Sequence, residues 1–355
     1  MTRLLLIVVL GLLSASKPLA SEFGQDVPSV LLIATGGTIS NQSGGRLTAG
    51  ELLNQIPDLD KYATPEFEQF SNVASSALTL EQWLQLSKRI NQVFETDPSL
   101  AGIVVTSGTD TLEETAYFLH LTVNNPRPVV VVGAMRNPST LGYEGAANLR
   151  QAFRTAASPK SRNKGVLVVL NNEINSAREV TKTDARHLHT FQTRRYGILG
   201  TVDHDRVVFY REVLRRHTSD SEFDVSSVEV LPRVDILSVY QGASGDLIKA
   251  AVNAGARGLV VASAGAGATS RDQREAITYA YQQGVFVVVS TRTGSGRITP
   301  RTAREDEPLT QEQQLAARYR IAALDHAPLK ARILLMLALT QTRDVRAIRR
   351  MFEEY

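Results

Sequence analysis

Residues 30–40 read Val-Leu-Leu-Ile-Ala-Thr-Gly-Gly-Thr-Ile-Ser. The first five are all apolar, which suits a strand covered on both faces and hence a parallel sheet. Two glycines end the run, and Thr38 follows them at the strand's expected carboxyl end. In open α/β sheets that edge is where ligands bind. Glycine lets the backbone approach a substrate and aim N–H groups at a developing oxyanion. Thr38 is therefore a candidate nucleophile, with backbone N–H groups near Gly37 as candidate oxyanion donors. A phosphate loop or a plain tight turn has the same outline, but the chain has neither a Walker sequence nor G-x-G-x-x-G.

Outward from this stretch, similar runs lie at 103–106, 129–133, 166–170, 236–240, 259–263 and 285–291. Helical patterns lie between them at 80–94, 112–123, 146–157, 246–254 and 272–282. Strands alternating with helices predict βαβ crossovers and two open, helix-covered sheets. The rhythm stops in a charged stretch between about 209 and 233, then resumes at Val234. The expected division is an N-terminal catalytic α/β domain over 21–212, a linker over 213–233 and a C-terminal α/β domain over 234–355. The last segment, from Ile321, reads as a basic amphipathic helical region whose Ile333, Leu334 and Leu337 pack on the domain rather than on a membrane.

Composition narrows the class of function. The 355 residues, 43% hydrophobic and 21% charged, are ordinary for a globular chain of two domains. Net charge is +3, and the pairs Arg215-Arg216 and Arg349-Arg350 lack interleaved aromatics, so no nucleic-acid partner is expected. Cysteine is absent, which excludes disulfides, thiolate nucleophiles and cysteine-ligated metals. The first twenty residues carry Arg3, a ten-residue apolar run over 4–13, and small residues at Ser14, Ala15, Ser16 and Ala20. That layout predicts a secretory signal peptide over 1–20 and a periplasmic location. The apolar run is too short to span a bilayer. Its removal leaves a charge of about +1, since Arg3 and Lys17 go with it.

Two more constellations carry chemistry. Residues 106–111, Thr-Ser-Gly-Thr-Asp-Thr, end another strand and run into a helix. Thr109 and Asp110 would share the sheet edge with Thr38, beside a helix N-terminus that favours negative charge. Thr111 with Glu114 reads as a capping box. Residues 180–183 read Val-Thr-Lys-Thr. A buried lysine loses its proton more easily and can act as a base. Beside a threonine hydroxyl and an aspartate, Lys182 would complete a Thr–Lys–Asp unit, analogous in role to Ser–His–Asp. Taken alone, such a lysine is more often a surface charge. His187 and His189 have a His-x-His spacing but no third ligand at a familiar offset, so no metal is expected.

Together these segments resemble the bacterial L-asparaginases, most of all the secreted type. The resemblance runs from Val30 to the C-terminus. It is carried by ATGGTIS at 34–40, TSGTDTLEETAYF at 106–118, PVVVVGAMR at 128–136, REVTKT at 178–183, RHTSD at 216–220 and LALTQTRD at 337–344. It implies a larger N-terminal α/β domain, a smaller flavodoxin-like C-terminal one, and a homotetramer built from two tight dimers. It also implies hydrolysis of a small amino-acid amide with no cofactor. Thr38 corresponds to the primary nucleophile, and Thr109, Asp110 and Lys182 to the second threonine's triad. Gly37, Ser75, Ser76, Gly108, Thr109 and Asp110 are the implied substrate contacts, with Glu305 as the carboxylate lent to a neighbouring subunit.

The sequence departs from the family pattern in four places. The loop over 41–50 has no tyrosine; Arg46 and Thr48 lie there instead. Ser76 replaces a substrate-contacting glutamine, Ala266 and Ala268 flank Gly267 where an asparagine is usual, and Ser107 stands where histidine is common. A glutaminase-asparaginase and an inactive amino-acid-binding relative are the rival readings.

Overall fold

A computed structural model describes residues 27–300 and 308–355. The proposed signal peptide over 1–20 and Glu305 lie outside the described residues. The first part of the chain forms β1 (Ser29–Gly36), β2 (Asn41–Gln42), β3 (Gly45–Arg46), α1 (Ala49–Asn54), β4 (Thr64–Val73), α2 (Leu80–Thr96), β5 (Gly102–Thr106), α3 (Leu112–Thr122), β6 (Val129–Val132) and α4 (Gly145–Ala157). It continues through β7 (Val166–Leu170), β8 (Glu173–Ser176), β9 (Thr181–Lys182), β10 (Phe191–Gln192), β11 (Gly200–Val202) and β12 (Val207–Phe209). Eight of these strands make one sheet in the order β12-β11-β8-β7-β6-β5-β1-β4. Strands β7, β6, β5, β1 and β4 are parallel, while β8, β11 and β12 join antiparallel at one edge.

Alternation explains how this sheet is covered. Leu31, Ile33, Ile103, Val105, Val129, Val131, Val166 and Val168 face α2 and α3. Their neighbours Val30, Leu32, Val104, Val130, Leu167 and Val169 face α1 and α4. Both faces are apolar, so the central strands read as continuous hydrophobic runs. The edge strand β4, Thr-Pro-Glu-Phe-Glu-Gln-Phe-Ser-Asn-Val, is half-exposed and polar, and no apolar run announces it.

The second part forms β13 (Val234–Ser238), α5 (Asp246–Asn253), β14 (Gly258–Ser263), α6 (Arg271–Gln282), β15 (Phe286–Thr291), α7 (Gln311–Tyr319), β16 (Arg320–Ala322), α8 (Pro328–Gln341) and α9 (Val345–Glu354). Its four strands are parallel and in sequential order. Leu259, Val261 and Val287 face α5 and α6. Val260, Phe286 and Val288 face α8 and α9.

Helix α8 differs from the amphipathic expectation. Ile333, Leu334 and Leu337 are fully buried, but so are Leu335, Met336 and Ala338. The reason is that α8 packs on α3 of the first layer and on β13 and β14 of the second at once. A helix covered all round must be apolar all round. One continuous core therefore runs from the first sheet through α8 to the second.

Candidate active site

Strand β1 is hydrogen-bonded to β4 on one side and β5 on the other, so the order of strands reverses there. Ligands bind outside the carboxyl ends of strands at such a switch point. Two hydrogen bonds zip those ends together: Thr35 N–H donates to Thr106 Oγ1 at 3.1 Å, and Thr35 Oγ1 donates to the Thr106 carbonyl at 2.6 Å. The turns carrying Thr38 and Thr109 leave from this point.

The first turn is made by backbone. Gly36 and Gly37 have φ of 103° and 91°, which side-chain-bearing residues rarely adopt. A Cβ on Gly37 would stand 2.3 Å from Gly108 N, so the two turns touch. The Gly37 carbonyl accepts from Ser40 N–H at 3.2 Å, Ser40 Oγ at 3.1 Å and Arg46 Nη1 at 3.0 Å. Arg46 is thus a strut beneath the turn. Thr48 is occupied elsewhere, as the cap of α1 in a reciprocal pair with Glu51. Tyr143, from just before α4, donates its hydroxyl to the Ile39 carbonyl at 2.8 Å.

The Gly37 N–H itself donates to Val73 O at 2.9 Å, which leaves the neighbouring Thr38 N–H as the candidate oxyanion donor near Gly37. The glycine serves β-strand closure, because β4 runs alongside. Among the described residues the N–H groups of Thr38 and Thr109 donate to nothing, and the Thr38 hydroxyl has no hydrogen-bond partner.

The second turn is built from side chains. Thr109 is buried. Lys182, in the two-residue strand β9 paired with β10, donates from Nζ to Thr109 Oγ1 at 3.0 Å and to Asp110 Oδ1 at 2.7 Å. The lysine side chain is 14% exposed and the aspartate side chain 76%, so the cluster is sheltered at its base and open at its acid. Both threonine-side residues precede the first turn of α3, whose N–H groups favour negative charge.

The Thr111–Glu114 capping box is corrected. Thr111 is the N-cap of α3, but no side-chain cap bond forms. Glu114 instead faces Arg332 of α8 at 3.9 Å, and burial raises its carboxyl above the usual range. Interlayer packing has taken the residue that a free helix would spend on its own end.

Ser75 lies against the second turn: a Cβ on Gly108 would stand 2.7 Å from its Oγ. Ser76 is exposed on the same short turn. Ser107 is buried and donates to the Gly108 carbonyl at 3.2 Å. His187 faces Asp184 at 3.5 Å and His189 faces Glu173 at 3.1 Å, each histidine with its own carboxylate. Among the described residues no cluster of three or more His, Cys, Asp or Glu groups forms a metal site.

Comparisons with known proteins agree over both layers. The family description "Asparaginase, N-terminal" matches residues 29–215 and "Glutaminase/Asparaginase C-terminal domain" matches 233–352. The chain is 41% identical to L-asparaginase 2 of Bacillus subtilis over 96% of its own length and 90% of that protein's. It is 39% identical to L-asparaginase 2 of Escherichia coli over 93% and 94%. Among solved structures, a probable cytoplasmic L-asparaginase from Campylobacter jejuni superposes with a TM-score of 0.82 at 37% identity, covering 93% of this chain and all of that one.

Proposed function

The chain belongs to the asparaginase family, and from that premise we propose that it hydrolyses L-asparagine to L-aspartate and ammonia through a threonine acyl-enzyme. The observation that carries the chemistry is Lys182 Nζ within hydrogen-bond reach of both Thr109 Oγ1 and Asp110 Oδ1. A hydroxyl becomes a nucleophile when an adjacent base takes its proton. Lys182 is the group placed to take that proton, with Asp110 stabilising its ammonium form.

Thr38 Oγ attacks the side-chain amide carbon, in keeping with the family resemblance. Its proton passes to Lys182 through the Thr109 hydroxyl; the contact between Gly37 and Gly108 supports so short a relay. The oxyanion forms near the Thr38 and Thr109 N–H groups, which have no other acceptor among the described residues. The carbon–nitrogen bond then breaks, and the proton on Lys182 returns to the departing nitrogen, giving ammonia. Water, deprotonated by the same lysine, attacks the ester carbon; the bond from that carbon to Thr38 Oγ breaks, the lysine returns its proton to Thr38 Oγ through Thr109, and aspartate is released. The open Asp110 carboxylate suits the substrate's α-ammonium, and Ser75 suits its α-carboxylate. Glu305 of a neighbouring subunit, a homotetramer, and export by residues 1–20 extend the same reading. They are supported by resemblance and by the sequence of the leader.

Ammonia release from L-asparagine and L-glutamine, with Thr38→Ala and Thr109→Val, tests this. Wild type should prefer asparagine, and each variant should lose about 1,000-fold or more in kcat, as removal of a nucleophile or its relay does. Equal efficiency on both amides would favour the glutaminase-asparaginase reading, because one methylene is worth only about 1–3 kcal/mol. Tight aspartate binding without turnover would overturn the enzyme reading.

A further inference from the structure

We propose that Glu113 is a positioning residue for Lys182, holding the root of the lysine while Thr109 and Asp110 hold its tip. The inference rests on the functional reading above, in which Lys182 carries the proton.

Glu113 is the second residue of α3, three positions after Asp110. Its Oε1 accepts from the Thr181 hydroxyl at 3.0 Å and from the Lys182 N–H at 3.1 Å. The same carboxylate oxygen therefore fixes both residues of β9. From that anchored root Nζ reaches to Thr109 and Asp110. All three holding residues belong to the start of α3 and the turn before it. Both ends of a long, rotamer-rich side chain are thus referred to one rigid piece of backbone. A lysine held only at its tip would sample many arrangements, and misplacement by about 1 Å can cost about 100-fold in rate.

A second buried residue keeps the carboxylate in place. Glu113 is buried, as is Lys330 of α8. Lys330 Nζ donates to the Glu113 carbonyl at 3.1 Å and to the Ala177 carbonyl at 2.5 Å, and lies 3.9 Å from Glu113 Oε2. It ties the first turn of α3 to the turn that precedes β9. Burial pulls the Lys330 ammonium down to about 8, with Glu113 and Glu114 opposing that loss and Arg178 adding to it. Among the described residues Glu113 Oε2 has no hydrogen-bond partner. The two carboxylate oxygens are therefore divided: Oε1 serves β9, and Oε2 lies 3.9 Å from the Lys330 ammonium. An amide could make both Oε1 contacts without the charge. Positioning and charge balance are separable on that ground.

The test is kcat and KM for asparagine, with thermal melting alongside. Glu113→Ala should lower kcat about 100-fold while KM stays within about threefold. Glu113→Gln should return kcat to within about threefold of wild type, because an amide oxygen still accepts both bonds. Thr181→Val, which removes one bond only, should lower kcat about fivefold. A folded Glu113→Ala with wild-type kcat overturns the proposal, as does a Gln variant no better than Ala. If Glu113→Ala does not fold, unchanged kcat in Thr181→Val overturns it. Lys182→Ala is run in parallel. An inactive Lys182→Ala beside an active Glu113→Ala sinks this inference alone, whereas an active Lys182→Ala sinks the functional reading.

Discussion

The two threonine turns sit on neighbouring strand ends and are made of different materials. Around Thr38 the work is done by main chain: two glycines at positive φ, a carbonyl with three donors, and no partner for the hydroxyl among the described residues. Around Thr109 the work is done by side chains drawn from seventy residues away. In the mechanism proposed above, one turn supplies shape and the other supplies proton chemistry. A hydroxyl without a base and a base without a substrate-facing backbone would each be idle. Contact between Gly37 and Gly108 is what makes them one site.

That contrast can be broken in three ways. The largest effect is expected at the charged turn. Lys182→Arg should be as inactive in ammonia release as Lys182→Ala, down about 1,000-fold, because guanidinium does not give up its proton at working pH. Near-normal turnover in the arginine variant would mean that positive charge, not proton transfer, is what position 182 provides. A smaller but structural effect is expected at the backbone turn. Gly37→Ala must either shift Gly108 or abandon its φ, and should cost about 1–3 kcal/mol in a denaturant melt along with most activity. A stable, active alanine variant would show that the two turns have room between them.

The smallest effect separates acid inactivation of chemistry from loss of the fold. Burial holds His326 near 3, and it lowers His120 and His217 as well. In the unfolded chain these imidazoles titrate near 6.5, so below that pH the unfolded state binds more protons. Stability should be complete above about pH 6.5 and decline as pH falls towards 3. Melting temperature should follow that course equally in wild type and Lys182→Ala. His326→Phe should flatten it by about one proton's worth. If the lysine variant alone lost the slope, the acid response would belong to the site.

Much of this arrangement was legible in the chain, and what was not has physical causes. Strands β1, β5, β6, β7 and β14 announced themselves because both of their faces are buried. Strand β4 did not, since an edge strand that exposes Thr64, Pro65, Glu66 and Phe67 carries no apolar run. The short antiparallel pairs β8, β11 and β12 and the three-residue β16 were too brief to pattern. Thr38 and Thr109 could be placed at one sheet edge from their strands. Lys182 could be placed only through the family resemblance, because the chain between β8 and β11 is largely irregular and the lysine alone looks like any surface charge. The contacts of Arg46, Tyr143 and Glu113 carry no sequence pattern: each meets backbone atoms, of the same loop for Arg46 and of distant segments for Tyr143 and Glu113. Glu114 was misread because a helix in isolation caps itself, whereas α3 has α8 against it.

The shared helix α8 has one more consequence. Exchanging the trailing third of this chain with that of a relative would replace filling that the leading portion relies upon, since α8 also packs on α3. Such hybrids would have to carry the matching α3 surface with them. The two portions, though each has its own sheet, form a single inheritance unit.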